Sequence, residues 1–429
     1  MDGAAERPLV GLFGAFDTGE LGEVALRRVL ELELSRRRPD IALIPLAPFG
    51  AERPTPGDEG RPAQPLPPTA NTDPLGVDAL IISGDVLGDD EDWAGRYPAP
   101  GEEMADRGVS TLALTGTRGG RAAAPAVTWF AVGPVAGSAE VGGLAGKDVW
   151  ARYPATQELL GGTAVQSGDP LLLSGRLFSA DALRRRADLL RICGALPTGR
   201  RIVIETAPSL AASGSGEGLV DAVSAALRAD PKLSAVLLRL DPTRRLGDSM
   251  IQMSGLIAER VHHLPAWVGL DDIAAAMSGS AAVVATSPAG AHLAASLGVP
   301  VAVSDTGLGD RFEAAIPVLT GDLLSAIRQL LAAKHPVTID KAIQTLDGAF
   351  AELAERLPRG AASPRGAGDA DPVVSALTIL QQRLVDERTA LQAELSRLQS
   401  ELDHLRASPE HRIARPIRDG YRRWQRRRT

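Results

Sequence analysis

Lysine and cysteine are almost missing from this chain of 429 residues: Lys147, Lys232, Lys334 and Lys341 are its lysines, and Cys193 is its one cysteine. A single thiol excludes intrachain disulfides and cysteine-rich metal centres. Cys193 follows the apolar run Leu189-Leu190-Arg191-Ile192 of an expected helix, so it is expected as a buried structural thiol rather than a nucleophile. Long apolar runs are absent too. No stretch reaches the roughly 18 residues of a membrane-spanning helix, and the N-terminus, with Asp2 and Glu6, lacks a signal-peptide pattern; the expectation is a cytoplasmic protein. No metal cluster stands out, because His262 and His263 are adjacent and point apart while His335, His404 and His411 are isolated. A Gly-x-x-x-x-Gly-Lys-Ser/Thr loop and a Gly-x-Ser-x-Gly elbow are both missing, which argues against a nucleotide triphosphatase and a serine hydrolase. No cofactor is expected.

What is present suffices for two packed cores: 44% of the residues are hydrophobic. The net charge is −7, yet the segment from His411 to Thr429 carries eight arginines against Asp419, a local +7. The remaining body is therefore strongly acidic, which argues against nucleic-acid binding and sets the tail apart.

The pattern alternates strands and helices. Leu9–Phe13, an amphipathic helix over Leu21–Arg36, and Ile41–Pro45 form one β-α-β unit. A proline-rich connection follows, and strands resume at Ala79–Ser83, Ser110–Leu114 and Val127–Val132. Ala180–Ile192 reads as a helix crossing to a second set of strands, at Arg201–Glu205, Ala235–Leu240, Val261–Leu264, Ala281–Ala285 and Pro300–Ser304. Helices are expected between them at Gly218–Ala229, Ser249–Arg260, Leu270–Met277 and Ala289–Leu297. The expected fold class is α/β, with two doubly wound Rossmann-like domains over residues 1–175 and 176–358. A linker over 359–372 leads to Leu377, Leu384, Leu391, Leu398 and Leu405, a seven-residue repeat that predicts a coiled coil over 373–406. Its alternative is a single helix docked on the body, because Gln381 and Arg388 fall at core positions. The basic tail over 407–429 places Ile413, Ile417, Tyr421 and Trp424 at helical spacing among the arginines, but Pro416 and Gly420 interrupt it. An amphipathic segment and an unstructured tail both suit an anionic membrane surface.

Four segments, in order, resemble the polysaccharide pyruvyl transferase family. Val283-Val284-Ala285-Thr286-Ser287-Pro288-Ala289-Gly290-Ala291-His292, running on to Gly298 and Pro300, resembles its C-terminal strand, Ser-Arg-x-His-Gly/Ala loop and helix closed by Gly-x-Pro. The family's arginine falls on Ser287 and its histidine on Ala289. Gly11 to Glu20 is similar to the opening Gly-x-x-Gly-x-x-Asn-x-Gly-Asp, with Asp17 for Asn and Glu20 for Asp. Leu80-Ile81-Ile82-Ser83-Gly84-Asp85 stands where the family has a strand ending in Gly-Gly. Lys147-Asp148 through Leu159, then Gly168-Asp169-Pro170-Leu171-Leu172-Leu173, resembles its Arg-Asp stretch and Asp-Pro strand.

The resemblance implies a GT-B-like fold, two doubly wound domains facing each other across a cleft, and transfer of a pyruvyl group from phosphoenolpyruvate to a cell-envelope glycan or its precursor. That donor needs cationic forks or clustered N–H groups for its anions and a general acid for its methylene carbon. Ser287 and Ala289 supply neither, so His292, one turn along the helix, is the candidate acid. Gly14, Asp17 and Gly19, Gly84 and Asp85, Arg239 and Arg244, and Thr286, Ser287 and Gly290 are the candidate binding residues. Some have a plainer reading, Gly14 and Gly19 as turn formers and the arginines as solvated charges, and Asp169 reads as structural. Two alternatives to pyruvyl transfer stand beside it: an inactive relative that binds glycan precursors and scaffolds partners, and a glycosyltransferase using a sugar nucleotide. The expected partners are a glycan or lipid-linked precursor, phosphoenolpyruvate, a second copy through the coiled coil, and the inner face of the membrane through the tail.

Overall fold

A computed structural model describes residues 7–16, 20–47, 64–65, 77–84, 126–133, 149–160, 164–206, 215–240, 260–265, 268–304, 315–333 and 335–359. The strand expected at Ser110–Leu114, all but the last residue of the helix expected at Ser249–Arg260, the linker, the coiled coil and the basic tail lie outside them, as do Asp17, Gly19, Asp85 and Arg244.

Two parallel sheets carry the fold. The first contains β1 (Leu9–Phe13), β2 (Ala42–Ala47), β3 (Gln64–Pro65), β4 (Ala79–Gly84), β5 (Ala126–Val132), β6 (Val149–Ala151) and β7 (Val165–Gln166), in the order β3-β2-β1-β4-β5-β6-β7. The second contains β8 (Arg200–Glu205), β9 (Leu233–Leu238), β10 (Val261–His263), β11 (Ala282–Ala285), β12 (Val301–Ser304) and β13 (Val318–Leu319), in the order β10-β9-β8-β11-β12-β13. Both orders reverse beside their first strand, the mark of a doubly wound domain. The α/β class with two Rossmann-like domains is thus what the chain adopts. Strands such as Leu9-Val10-Gly11-Leu12-Phe13 and Ala282-Val283-Val284-Ala285 are buried throughout, because helices cover both faces of a parallel sheet. Pro65 sits in an edge strand, where its missing N–H costs no ladder bond.

The helices are α1 (Leu21–Arg37), α2 (Pro154–Leu159), α3 (Ala180–Ile192), α4 (Ser215–Ala229), α5 (Leu270–Met277), α6 (Pro288–Ser296), α7 (Leu323–Ala332) and α8 (Asp340–Arg356), with a 3-10 helix over Pro170–Leu177. Local chemistry sets their ends. Ser179 Oγ accepts from Ala182 N to start α3, and Asp322 starts α7 in the same way. Gly298, at φ +69°, closes α6 as expected, with Val299 N donating to Ala294 O at 3.1 Å.

Two expectations change. Cys193 is exposed, because α3 ends there and Ile192 beside it is 81% exposed. The Asp-Pro segment is not a strand but the 3-10 helix: Asp169 caps it by accepting from Leu171 N at 2.9 Å, and Pro170 occupies its first turn.

The two sheets share one packed body. The 3-10 helix lies against α1 and α6, and Gly175 presses so closely on the Ser296 carbonyl that a Cβ would collide with it. After α7 the chain returns to the first sheet. There α8 packs on α1, and the Phe350 ring lies 4.9 Å from that of Phe130. Arg356 stacks over Trp150 at 4.3 Å. Fully buried Glu33 of α1 meets Arg176 at 3.0 Å and also Arg37, and both arginines bind Asp347 of α8, at 2.8 Å and 2.7 Å. Among the described residues no helix is long and apolar enough to cross a membrane.

Candidate functional site

In an open parallel sheet, ligands gather at the carboxyl ends of the strands where the order reverses. In the first sheet that place lies between β1 and β4, in the second between β8 and β11. Both ends come together at the first turn of α1. Leu21 N donates to Leu240 O, just past β9, at 2.7 Å, and a Cβ on Gly22 would stand 2.8 Å from Ala289 Cβ of α6. Arg28 pairs with Asp271 of α5 at 3.3 Å.

In the first sheet, Gly14 and Gly84 line this place for steric reasons. A Cβ on Gly14 would fall 2.6 Å from the Phe16 ring and 3.0 Å from Ser83 O, and its N–H donates to Leu46 O at 3.2 Å. Gly84 has φ +89°, a backbone that favours glycine, and a Cβ there would lie 2.7 Å from Glu23 of α1. Their companions Asp17, Gly19 and Asp85 lie outside the described residues. Half-buried Arg239 follows β9 directly.

In the second sheet, Thr286, Ser287 and Gly290 gather on a residue that sequence reasoning passed over as the end of a strand. Glu205 closes β8 with its carboxylate buried against the N-terminus of α6. Its Oε2 accepts from Thr286 N at 2.9 Å and Ser287 N at 3.1 Å, and its Oε1 accepts from Ser287 Oγ at 2.6 Å. Ser287 Oγ in turn accepts from Gly290 N at 3.0 Å, which caps the helix. Glycine at 290 leaves room for the Glu205 carboxyl group, which a Cβ would strike. Burial pushes the Glu205 carboxyl up by more than the bonds from Ser287 and Thr286 pull it down, and the charge of Glu20 adds to the rise. The N–H groups that could cradle a ligand's anion thus already hold a carboxyl group of the chain's own. The signal was a charged residue ending an apolar strand beside the reversal.

His292 faces elsewhere in the site. It is buried on α6, with Nδ1 2.6 Å from Asp169 Oδ2. Arg152 Nε lies 3.0 Å from the same oxygen and Tyr153 Oη donates to it at 3.4 Å. Burial opposes ionisation of Asp169, but Arg152, His292 and the bond from Leu171 N outweigh it and hold the carboxyl far below the usual range. An ionised carboxylate only accepts, so Nδ1 carries the hydrogen in this pair. The arrangement ties α6 to the first sheet's half of the molecule. Among the described residues no group of His, Cys, Asp and Glu could hold a metal ion.

The chain matches no protein-family model and no curated protein. Solved structures of similar outline include the UDP-GlcNAc 2-epimerase of Neisseria meningitidis bound to UDP-GlcNAc, at 11% identity over 81% of this chain and 98% of that one, TM-score 0.44. The Methanocaldococcus jannaschii UDP-GlcNAc 2-epimerase is 10% identical over 81% and 98%, TM-score 0.46. The E. coli ADP-heptose lps heptosyltransferase II is 12% identical over 81% and 99%, TM-score 0.39. Likeness at this level assigns no activity, so function is argued from the residues.

Proposed function

We propose that this protein binds a neutral cell-envelope glycan, or the sugar portion of its precursor, in the cleft of a polysaccharide pyruvyl transferase-like scaffold, without carrying out pyruvyl transfer. One observation supports the reading above all: the Glu205 carboxylate occupies the N–H groups at the start of α6. Phosphoenolpyruvate or a sugar diphosphate placed there would find those donors already taken. An arginine would supply a charge-assisted contact worth about 1.5–3 kcal/mol, but the matched position is Ser287. Carboxylates and hydroxyls at strand ends suit sugar hydroxyls instead, which donate as readily as they accept.

Calorimetric titration separates the readings. Phosphoenolpyruvate and UDP-N-acetylglucosamine are expected to give no binding below millimolar, whereas one of the neutral tetrasaccharides of glucose, galactose, mannose or N-acetylglucosamine binds more tightly. Micromolar binding of phosphoenolpyruvate would overturn the proposal in favour of pyruvyl transfer, and micromolar UDP-N-acetylglucosamine would favour a glycosyltransferase. Silence from every tetrasaccharide would remove the glycan.

A further inference from the structure

Among the described residues, each polar group bonded to the Glu205 carboxyl group does so as a donor. Thr286 N and Ser287 N point at Oε2 from 2.9 Å and 3.1 Å. Ser287 Oγ accepts from Gly290 N, so its own hydrogen is turned to Glu205 Oε1, 2.6 Å away. The start of α6 thus presents three donors to one point, together with the positive end of the helix dipole. Left open, such a place selects an anion over a sugar hydroxyl, whose own hydrogen would find no acceptor there. Glu205 fills it from within the chain. The residue is 2% exposed, and burying a carboxyl group lowers stability where an apolar side chain would not, so its presence asks for a cause. Holding α6 in place is not that cause. The helix is already tied through His292 to Asp169 at 2.6 Å, and through the close approach of Gly175 to Ser296.

We propose that Glu205 is the specificity-determining residue of the cleft: its carboxyl group stands in the place of a ligand's anion and so leaves the cleft to neutral saccharides. The inference rests on the glycan-binding reading above and names the residue that sets its ligand class. The exclusion works by occupancy. A tethered carboxyl group refills the place without any free concentration, so an anion that enters must displace it first. Glu20, whose charge also reaches this carboxyl group, holds none of the three donors.

The test is calorimetric titration of the full chain with acetate and with phosphoenolpyruvate at neutral pH. Glu205→Ala uncovers the three donors and leaves a space the size of the carboxyl group. It is expected to bind both anions at least about tenfold more tightly than the wild type, the worth of one charge-assisted hydrogen bond. Acetate at about ten times its dissociation constant should raise the melting temperature of this variant by about 2 °C and leave that of the wild type unchanged. Glu205→Gln refills the place with an amide and should stay closed to both anions, as should Glu20→Gln. Wild-type affinity of Glu205→Ala for the two anions would overturn the inference. An equal gain by Glu20→Gln would overturn it too, by showing that charge rather than occupancy excludes them. Were Glu205→Ala unfolded in buffer, acetate should restore its near-ultraviolet circular dichroism; a variant that acetate does not restore would show the carboxyl group to be a structural prop and overturn the inference. The glycan-binding reading fails separately, on a wild type that binds none of the tetrasaccharides.

Discussion

Asp169 and Glu205 are both buried carboxylates, both grip α6, and burial penalises both, yet they answer it in opposite ways. Asp169, on the first sheet's side, has Arg152 and His292 against it and is held ionised. Glu205, on the second sheet's side, receives neutral N–H and O–H donors and feels Glu20 as a like charge, so its carboxyl is pushed up. Burial alone therefore predicts nothing about a carboxylate's charge; the partners decide the sign. The pair also divides labour, with one fixing the helix to the other half of the molecule and one filling the helix's own N-terminus.

Removing Asp169 breaks the comparison most severely. Asp169→Ala removes the carboxylate that buried Arg152 and His292 face and should cost about 3–5 kcal/mol by urea denaturation. The wild-type contribution follows the carboxylate. It is present above the unfolded value of about 4 and disappears as pH falls towards the depressed folded value, so acid should weaken this side of the helix first.

Gly290→Ala attacks the other carboxylate by volume. Displacing Glu205 strands it without its donors at a cost of about 1–3 kcal/mol. Measured on a Glu205→Ala background the same change should cost much less, and a cycle without coupling would show that the two do not meet.

The pH response of Glu205 sharpens the contrast. Because its folded carboxyl is raised, its share of stability is full below about 4 and is lost as pH climbs through the folded value, the reverse of Asp169. Glu205→Gln should therefore gain on the wild type as pH rises above the unfolded value of about 4, and parallel stability profiles would refute the raised carboxyl. Asp347 gives the smallest effect. Arg176 draws its carboxyl down to about 2, yet the group is substantially exposed. Asp347→Asn should change stability by less than about 1 kcal/mol, and less still in high salt.

The sequence made some of these elements legible and hid others. Buried strands such as β1, β4 and β11 announce themselves as unbroken apolar runs, and α6 carries its own boundaries in Ser287, Pro288 and Gly298. Thr286, Ser287 and Gly290 could be picked out because strand, loop and helix are contiguous. Their binding partner could not, for Glu205 lies more than 80 residues away and meets them through sheet pairing between β8 and β11. Asp169 and His292 are separated by 123 positions for the same reason. Local pattern fixes which face of an element is apolar, and only the finished topology decides which polar ends meet. Cys193 shows the converse: an apolar neighbourhood in sequence ended up on the outer side of a helix terminus.

The return of α8 has a mechanical consequence. The second sheet is a guest held by two strings, α3 leading out and α8 leading back, rather than a bead on one string. A proteolytic cut in the 333–340 connection would leave the guest tethered through α3, while α8, gripped by Phe130, Arg37 and Arg176, would stay with its host. With both strings intact, the guest is tied to its host at two points of the chain as well as by the contacts of the 3-10 helix with α1 and α6.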